Sequence, residues 1–186
     1  MTELSRESPR TLREVRALVV LAFVTCASLA WPVRAATPEE GAAAAAQRWV
    51  KAVVARDVDT QSKLLPKGLF AKPEDQERDR KLRMRDNEVA AINGEKILSF
   101  DLQPTVQSGK VGKMMLFVFP YRSITQSRDG KMQRDSSLLA VAEEGSSNWS
   151  VIDGSGQSAR SMRGYLPGYA GVPPIPRAAA KVLTPE

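Results

Sequence analysis

The stretch KMMLFVFPYRSITQSRDGKMQRDSSLLAVAEEGSSNWSVIDG, residues 113–154, decides how this chain folds. Met114 to Tyr121 is the most apolar run downstream of residue 36, which predicts a central strand buried on both faces over much of its length. Asp129-Gly130 is the clearest hairpin turn signal in the chain, and Ser136 to Val141 returns as a long partner strand. Gly145 to Asn148 turns again, and Trp149 to Ile152 forms a further strand. Together these segments predict an antiparallel meander, which needs other elements to cover at least one face.

Upstream, the hydrophobic period is two from Lys96, where Ile97, Ser99 and Asp101 alternate with Leu98, Phe100 and Leu102. This reads as a strand with one dry face, followed by a turn at Ser108-Gly109-Lys110 and Gly112. The count is then four strands. Before them the period is helical. Thr37-Pro38-Glu39-Glu40 reads as a helix start, with Thr37 as N-cap, proline at the first position and Glu40 closing a capping box. The helix runs to about Arg56, with Trp49, Val50, Val53 and Val54 gathered on the face of Ala42, Ala45 and Ala46. Asp57-Val58-Asp59-Thr60 interrupts it, and Thr60 to Leu65 makes a short second helix.

Glu74 to Glu88 holds 11 charged residues in 15, with Glu74–Arg78, Glu77–Lys81 and Asp79–Arg83 spaced i, i+4 and the acid first. Leu82, Val89 and Ile92 add a thin apolar stripe, so a third helix is expected over 73–92. Its acids nearly cancel its bases and no aromatics are interleaved, so it reads as a solvated face and no nucleic acid is expected as a partner. After Asp153-Gly154 the chain is rich in proline and glycine. This segment is expected to be extended and packed near Tyr165 and Tyr169, with a proline-rich tail over 171–186 that frays past Arg177.

The N-terminus is of another kind. Arg6, Arg10, Arg13 and Arg16 precede an uncharged run, Ala17 to Pro32, and then Val33-Arg34-Ala35. Basic region, apolar core and small-residue site in this order read as a Sec-type signal, residues 1–35, cut between Ala35 and Ala36. Export to the periplasm or beyond is the expectation. Cleavage would remove Cys26, the only cysteine, leaving a domain without a thiol and with 22 Lys+Arg against 18 Asp+Glu. The whole chain has no histidine, which excludes Ser-His and Cys-His nucleophile pairs and imidazole zinc sites. No metal or other cofactor is expected. Retention of residues 17–33 as an anchor is the competing reading, although the run is shorter than the roughly 20 residues that span a bilayer.

Helices followed by an antiparallel meander resemble the nuclear transport factor 2-like (SnoaL-like, cystatin-like) superfamily. The resemblance lies in Val53 to Asp57 with Thr60 to Leu65, in the hairpin Lys113 to Val141, and in Asn148 to Gly154 as a closing strand. Leu166-Pro167-Gly168 is similar to the tails of exported members. The resemblance implies an α+β domain, residues 36–170, with N-terminal helices packed on a curved four-stranded sheet that forms a cone. A cone of this kind holds a small apolar ligand, an active site or nothing, so fold leaves function open.

Trp49, Phe100, Asp101, Phe117, Phe119, Tyr121 and Trp149 are the candidate lining residues, with ordinary core packing as the competing role for the aromatics. The leading expectation is a non-catalytic periplasmic module that binds a small apolar ligand or a protein partner, and dimerises through the outer sheet face. A membrane-anchored assembly component, resembling the periplasmic domains of type IV secretion inner-membrane proteins, is the second class. The third is a histidine-free isomerase, dehydratase or hydrolase, with Tyr121 as hydrogen-bond donor and Asp101 or Asp57 as base.

Overall fold

The computed structural model describes residues 36–67, 69–70 and 72–183. The expected signal, its cleavage site at Ala35 and Cys26 lie outside the described residues. Residues 36–183 belong to one compact unit. Helices α1 (Pro38–Val54), α2 (Val58–Leu64) and α3 (Pro73–Ile92) precede strands β1 (Lys96–Leu102), β2 (Gln107–Val111), β3 (Met114–Ser127), β4 (Gly130–Glu143) and β5 (Ser150–Asp153). Helix α4 (Ala159–Tyr165) and strand β6 (Ala179–Leu183) complete the order.

The start of α1 follows from its first residues. Glu40 N donates to Thr37 Oγ1 at 3.2 Å and Thr37 N donates to a Glu40 carboxylate oxygen at 2.6 Å, so both halves of the capping box are made. The buried face is turned slightly from expectation. Ala42, Ala45, Ala46, Trp49 and Ala52 are buried, whereas Val54 is 50% exposed. The small side chains let α1 approach the sheet so closely that a Cβ on Gly41 would lie 2.4 Å from Trp149 Nε1. Asp57 caps α2, accepting from Thr60 N at 2.9 Å.

The sheet is antiparallel and has six strands, where four were expected. β3 and β4 form its spine from Met114↔Glu143 to Ser127↔Gly130. On one side β1 and β2 share β3: β2 pairs with 114–118 and β1 with 121–126. On the other, β5 pairs with 138–141 of β4 and β6 with 131–135. Gln107 to Val111, expected to turn, is a strand, because the reversal needs only Gly112 at φ 60° and Lys113. The tail does not fray past Arg177. It returns to the sheet as β6, since the 131–135 edge of β4 otherwise has no backbone partner on that side.

Over 115–121 and 136–142 both faces of the spine are dry. Met115, Phe119, Tyr121, Leu138, Ala140, Ala142 and Val151 form the inner face against α1 and Leu64 and Leu65. Leu116, Leu139, Val141 and Ile152 form the outer face, covered by Met162 and Leu166 from α4 and its C-cap, and by Tyr169. Tyr169 is 1% exposed, and its hydroxyl donates to Pro173 O. The chain's own C-terminal segment therefore occupies much of the outer face on which a dimer was expected.

Helix α3 has the expected bounds but an unexpected polarity. Leu82, Val89 and Ile92 are 54%, 48% and 69% exposed, and the half-buried side is polar: Asp79, Arg83 and Asn87. The helix is attached by charge and hydrogen bonds. Arg83 stacks over Trp49 with Cζ 5.9 Å from the ring centroid, and Arg80 Nε lies 2.8 Å from Asp59. Arg56, at φ 55°, donates to the carbonyl oxygens of Asn87 at 2.9 Å and Glu95 at 2.5 Å, near the C-terminal end of α3. Within α3 the Glu77–Lys81 and Asp79–Arg83 pairs form at 3.9 and 2.7 Å, and Arg78 turns to Asp75 instead of Glu74.

Candidate functional site

The parity of β3 places Phe117, Phe119 and Tyr121 on one face, and register with β4 and β5 brings them under Trp49 and Trp149. All six candidate aromatics thus meet in one cluster. Trp49, Phe119, Tyr121 and Trp149 are buried, and Phe100 and Phe117 are half-buried at its margin. Phe100 stacks on Tyr121 with centroids 4.6 Å apart, and Phe117 meets Trp149 edge-on at 5.6 Å. These contacts are those of a filled interior. Leu102, beside Phe100, is half-buried as well.

Asp101 is not in this cluster. It neighbours Arg122 on β3 with the opposite parity, so it stands exposed on the outer face. There it faces a groove of about 600 Å³ with Gln103, Arg122, Asp135 and Arg177, whose lining also includes Tyr121 and Ser136. Arg122 is tied to Asp135 at 2.7 and 3.4 Å. Asp57 is equally remote. Its carboxylate caps α2, and the Thr60 hydroxyl and amide hold its pKa below the ordinary value. Neither aspartate hydrogen-bonds to Tyr121, whose hydroxyl is given to another carboxylate.

The carboxylate that does reach Tyr121 is Asp153, which is not among the candidate lining residues. Tyr121 Oη donates to Asp153 Oδ1 at 3.3 Å, and Ser155 N donates to the same oxygen at 2.9 Å. Burial pushes the Asp153 carboxyl above its ordinary range, against the Ser155 amide, the Tyr121 hydroxyl and the more distant Arg134 and Arg83. Burial and then the Asp153 charge push the Tyr121 phenol up as well. Ser136, the register partner of Tyr121, is 4% exposed, and its Oγ has no hydrogen-bond partner among the described residues. Ser136 and Ser155 lie near enough to offset part of the phenol's shift.

Gly154 explains why Asp153 comes so close. A Cβ at Gly154 would lie 2.8 Å from Ser137 Oγ and 2.9 Å from Ser137 O, and Gly154 N donates to Ser137 O at 2.8 Å. The glycine lets β5 leave the sheet while pressed against β4, with Asp153 kept on the inner face. The signal available in the sequence was parity: Asp153 lies two residues after Val151, and both point inward.

Tyr121, Ser136 and Asp153 are thus the polar groups set at the edge of the aromatic cluster. Among the described residues no group of three or more His, Cys, Asp or Glu side chains gathers that could hold a metal. Among them too, no helix is long and apolar enough to cross a membrane. Comparison with protein-family models, curated proteins and solved structures found no match to this chain.

Proposed function

We propose that this chain is an exported, non-catalytic module that binds a small amphipathic ligand on the inner face of a curled, cone-like sheet of the nuclear transport factor 2-like kind. The supporting observation is the polar trio of Tyr121, Ser136 and Asp153 inside an aromatic interior. Ser136 Oγ has hydrogen-bonding capacity that the fold leaves unused, and a buried hydroxyl without a partner is costly. A ligand with a hydroxyl or carbonyl head would use that capacity, and its apolar body would lie along Phe100 and Leu102, the half-buried margin.

Native mass spectrometry of the protein recovered from periplasm tests this reading. The expected mass begins at Ala36 and carries a small-molecule adduct, and Tyr121→Phe combined with Ser136→Ala removes the adduct from a folded protein. Recovery of the wild type free of adduct, with no binding to a panel of long-chain alcohols and ketones, refutes it.

A second reading is favoured by Asp153 itself. A desolvated carboxylate hydrogen-bonded to a tyrosine has the composition of a general acid/base site, so a histidine-free isomerase or dehydratase would use Asp153 in place of the expected Asp101 or Asp57. Turnover lost in both Asp153→Asn and Tyr121→Phe, with the adduct retained, would select this reading over simple carriage.

A further inference from the structure

Strand β6 is held unlike any other part of the sheet. It pairs with Lys131 to Asp135 of β4 over five residues, yet none of its side chains enters either core cluster. Ala179 to Val182 are exposed, with Val182 at 73%. Its attachment is therefore mainly backbone hydrogen bonding, with the half-buried Leu183 and the attraction of Lys181 to Asp135 beside it, and the net worth of those hydrogen bonds is of the same size as the entropy lost in ordering five residues. The segment leading to it carries Pro173, Pro174 and Pro176, which keep it extended when the strand lifts.

The strand also leaves two cations of β4 uncompensated. Register places Ala180 beside Arg134 and Val182 beside Met132 on the inner side, and Lys181 beside Gln133 and Leu183 beside Lys131 on the outer side. Arg134 and Lys131 are exposed and have no ion pair among the described residues, and β6 places only Ala180 and Leu183 beside them. The strand thus offers no carboxylate to either cation, and its own cation, Lys181, lies on the outer face, where it favours the Asp135 carboxylate.

We propose that the 131–135 edge of β4 is a strand-addition site for an extended acidic segment of a partner protein, occupied in the free protein by its own tail. The partner strand carries carboxylates opposite Arg134 and Lys131 and an apolar residue opposite Met132. It displaces β6 because it keeps every backbone hydrogen bond and adds two cross-strand ion pairs. The inference is independent of a ligand inside the cone.

The probe is a fluorescent hexapeptide of residues 178–183 carrying Ala180→Glu and Leu183→Glu, compared with the unmodified hexapeptide. The protein is the full chain with Cys26→Ser, Met132→Cys and Val182→Cys, so that oxidation locks β6 to its register partner. Reduced protein is expected to bind the acidic peptide about fivefold more tightly than the parent, the factor from two cross-strand ion pairs. Oxidation should abolish binding, and added salt should weaken it. Equal affinity for both peptides, no binding of either, or binding unchanged by oxidation overturns the proposal. Hydrogen exchange on the unaltered protein is the independent check. Amides of 179–183 should exchange faster than those of β5, and equal protection of the two edge strands would also overturn it.

Discussion

Replacing Gly41 by alanine adds one carbon where α1 lies closest to the sheet. Ordinarily that change in a helix interior stabilises by about 0.5–1 kcal/mol, because alanine has less backbone freedom to lose. Here the new Cβ would sit 2.4 Å from Trp149 Nε1, 3.1 Å from Cδ1 and 3.3 Å from Cε2. The indole cannot swing aside: Trp149 is 7% exposed and fixed edge-on against Phe117. Relief requires α1 to lift from the inner face, a forced overpacking that costs about 1–3 kcal/mol. The upper half of that range applies because the obstacle is a rigid ring in a filled core. The net expectation is destabilisation by about 1–2 kcal/mol, a fall of about 5 °C in Tm for a domain of this size.

Gly164→Ala is the matched control. It too is a helical glycine, and nothing lies within 4 Å of its added Cβ, so it should be neutral or stabilising by up to about 1 kcal/mol. Urea unfolding followed by tryptophan fluorescence measures both. Trp149→Phe in the Gly41→Ala background should recover part of the loss. If Gly41→Ala stabilises as Gly164→Ala does, α1 is not seated on Trp149 and the inner-face packing is wrong.

Asp153→Asn should raise stability at neutral pH. Burial lifts the Asp153 pKa, so the folded protein holds that proton more tightly than the unfolded chain, and the wild type loses stability as pH rises from 3.8 through the raised folded value. The amide keeps an acceptor for Ser155 N and Tyr121 Oη, so the variant's advantage in Tm should vanish below about pH 3.8 and persist above the window. Arg56→Ala removes the guanidinium bonds to Asn87 O and Glu95 O and should destabilise by about 2 kcal/mol, with hydrogen exchange rising first in α3. Arg56→Gly, which relieves the φ of 55°, should lose less. Thr37→Ala breaks the capping box and should cost about 1 kcal/mol in urea unfolding, and Thr37→Ser should restore most of it.

Local chemistry made much of this fold legible. Thr37-Pro38 and Glu40 mark the start of α1 because capping depends on residues three apart. Arg128 and Asp129 turn the β3–β4 hairpin and Gly130 starts the return strand, because the turn is decided by its own backbone. The apolar run Met114 to Tyr121 reads as a strand dry on both sides, since no polar residue interrupts either face. Strands β2 and β6 were illegible for the opposite reason. QSGKV and AAKVL have weak intrinsic β preference, and each is a strand only because an edge of the β3–β4 spine needs a backbone partner.

The candidate site divides in the same way. The grouping of Trp49, Phe117, Phe119, Tyr121 and Trp149 followed from their being large and apolar, since a small domain must bury them together. Which carboxylate joins Tyr121 did not. Asp101 is nearer to Tyr121 in sequence, but the register Asp101↔Arg122 sends it to the outer face. Asp153 lies on a strand two places across the sheet from β3, the strand of Tyr121, carried inward by its parity with Val151 and pressed close by Gly154 against Ser137. The polarity of α3 likewise needed the tertiary structure, because Arg83 lies over the ring of Trp49 while Leu82 stays exposed. Sequence by itself determined the elements whose signals are local: caps, turns and hydrophobic period. Register, edge pairing and the choice among three aspartates were decided only when distant strands met, because each depends on which backbone and which charge lie across a gap of about 5 Å.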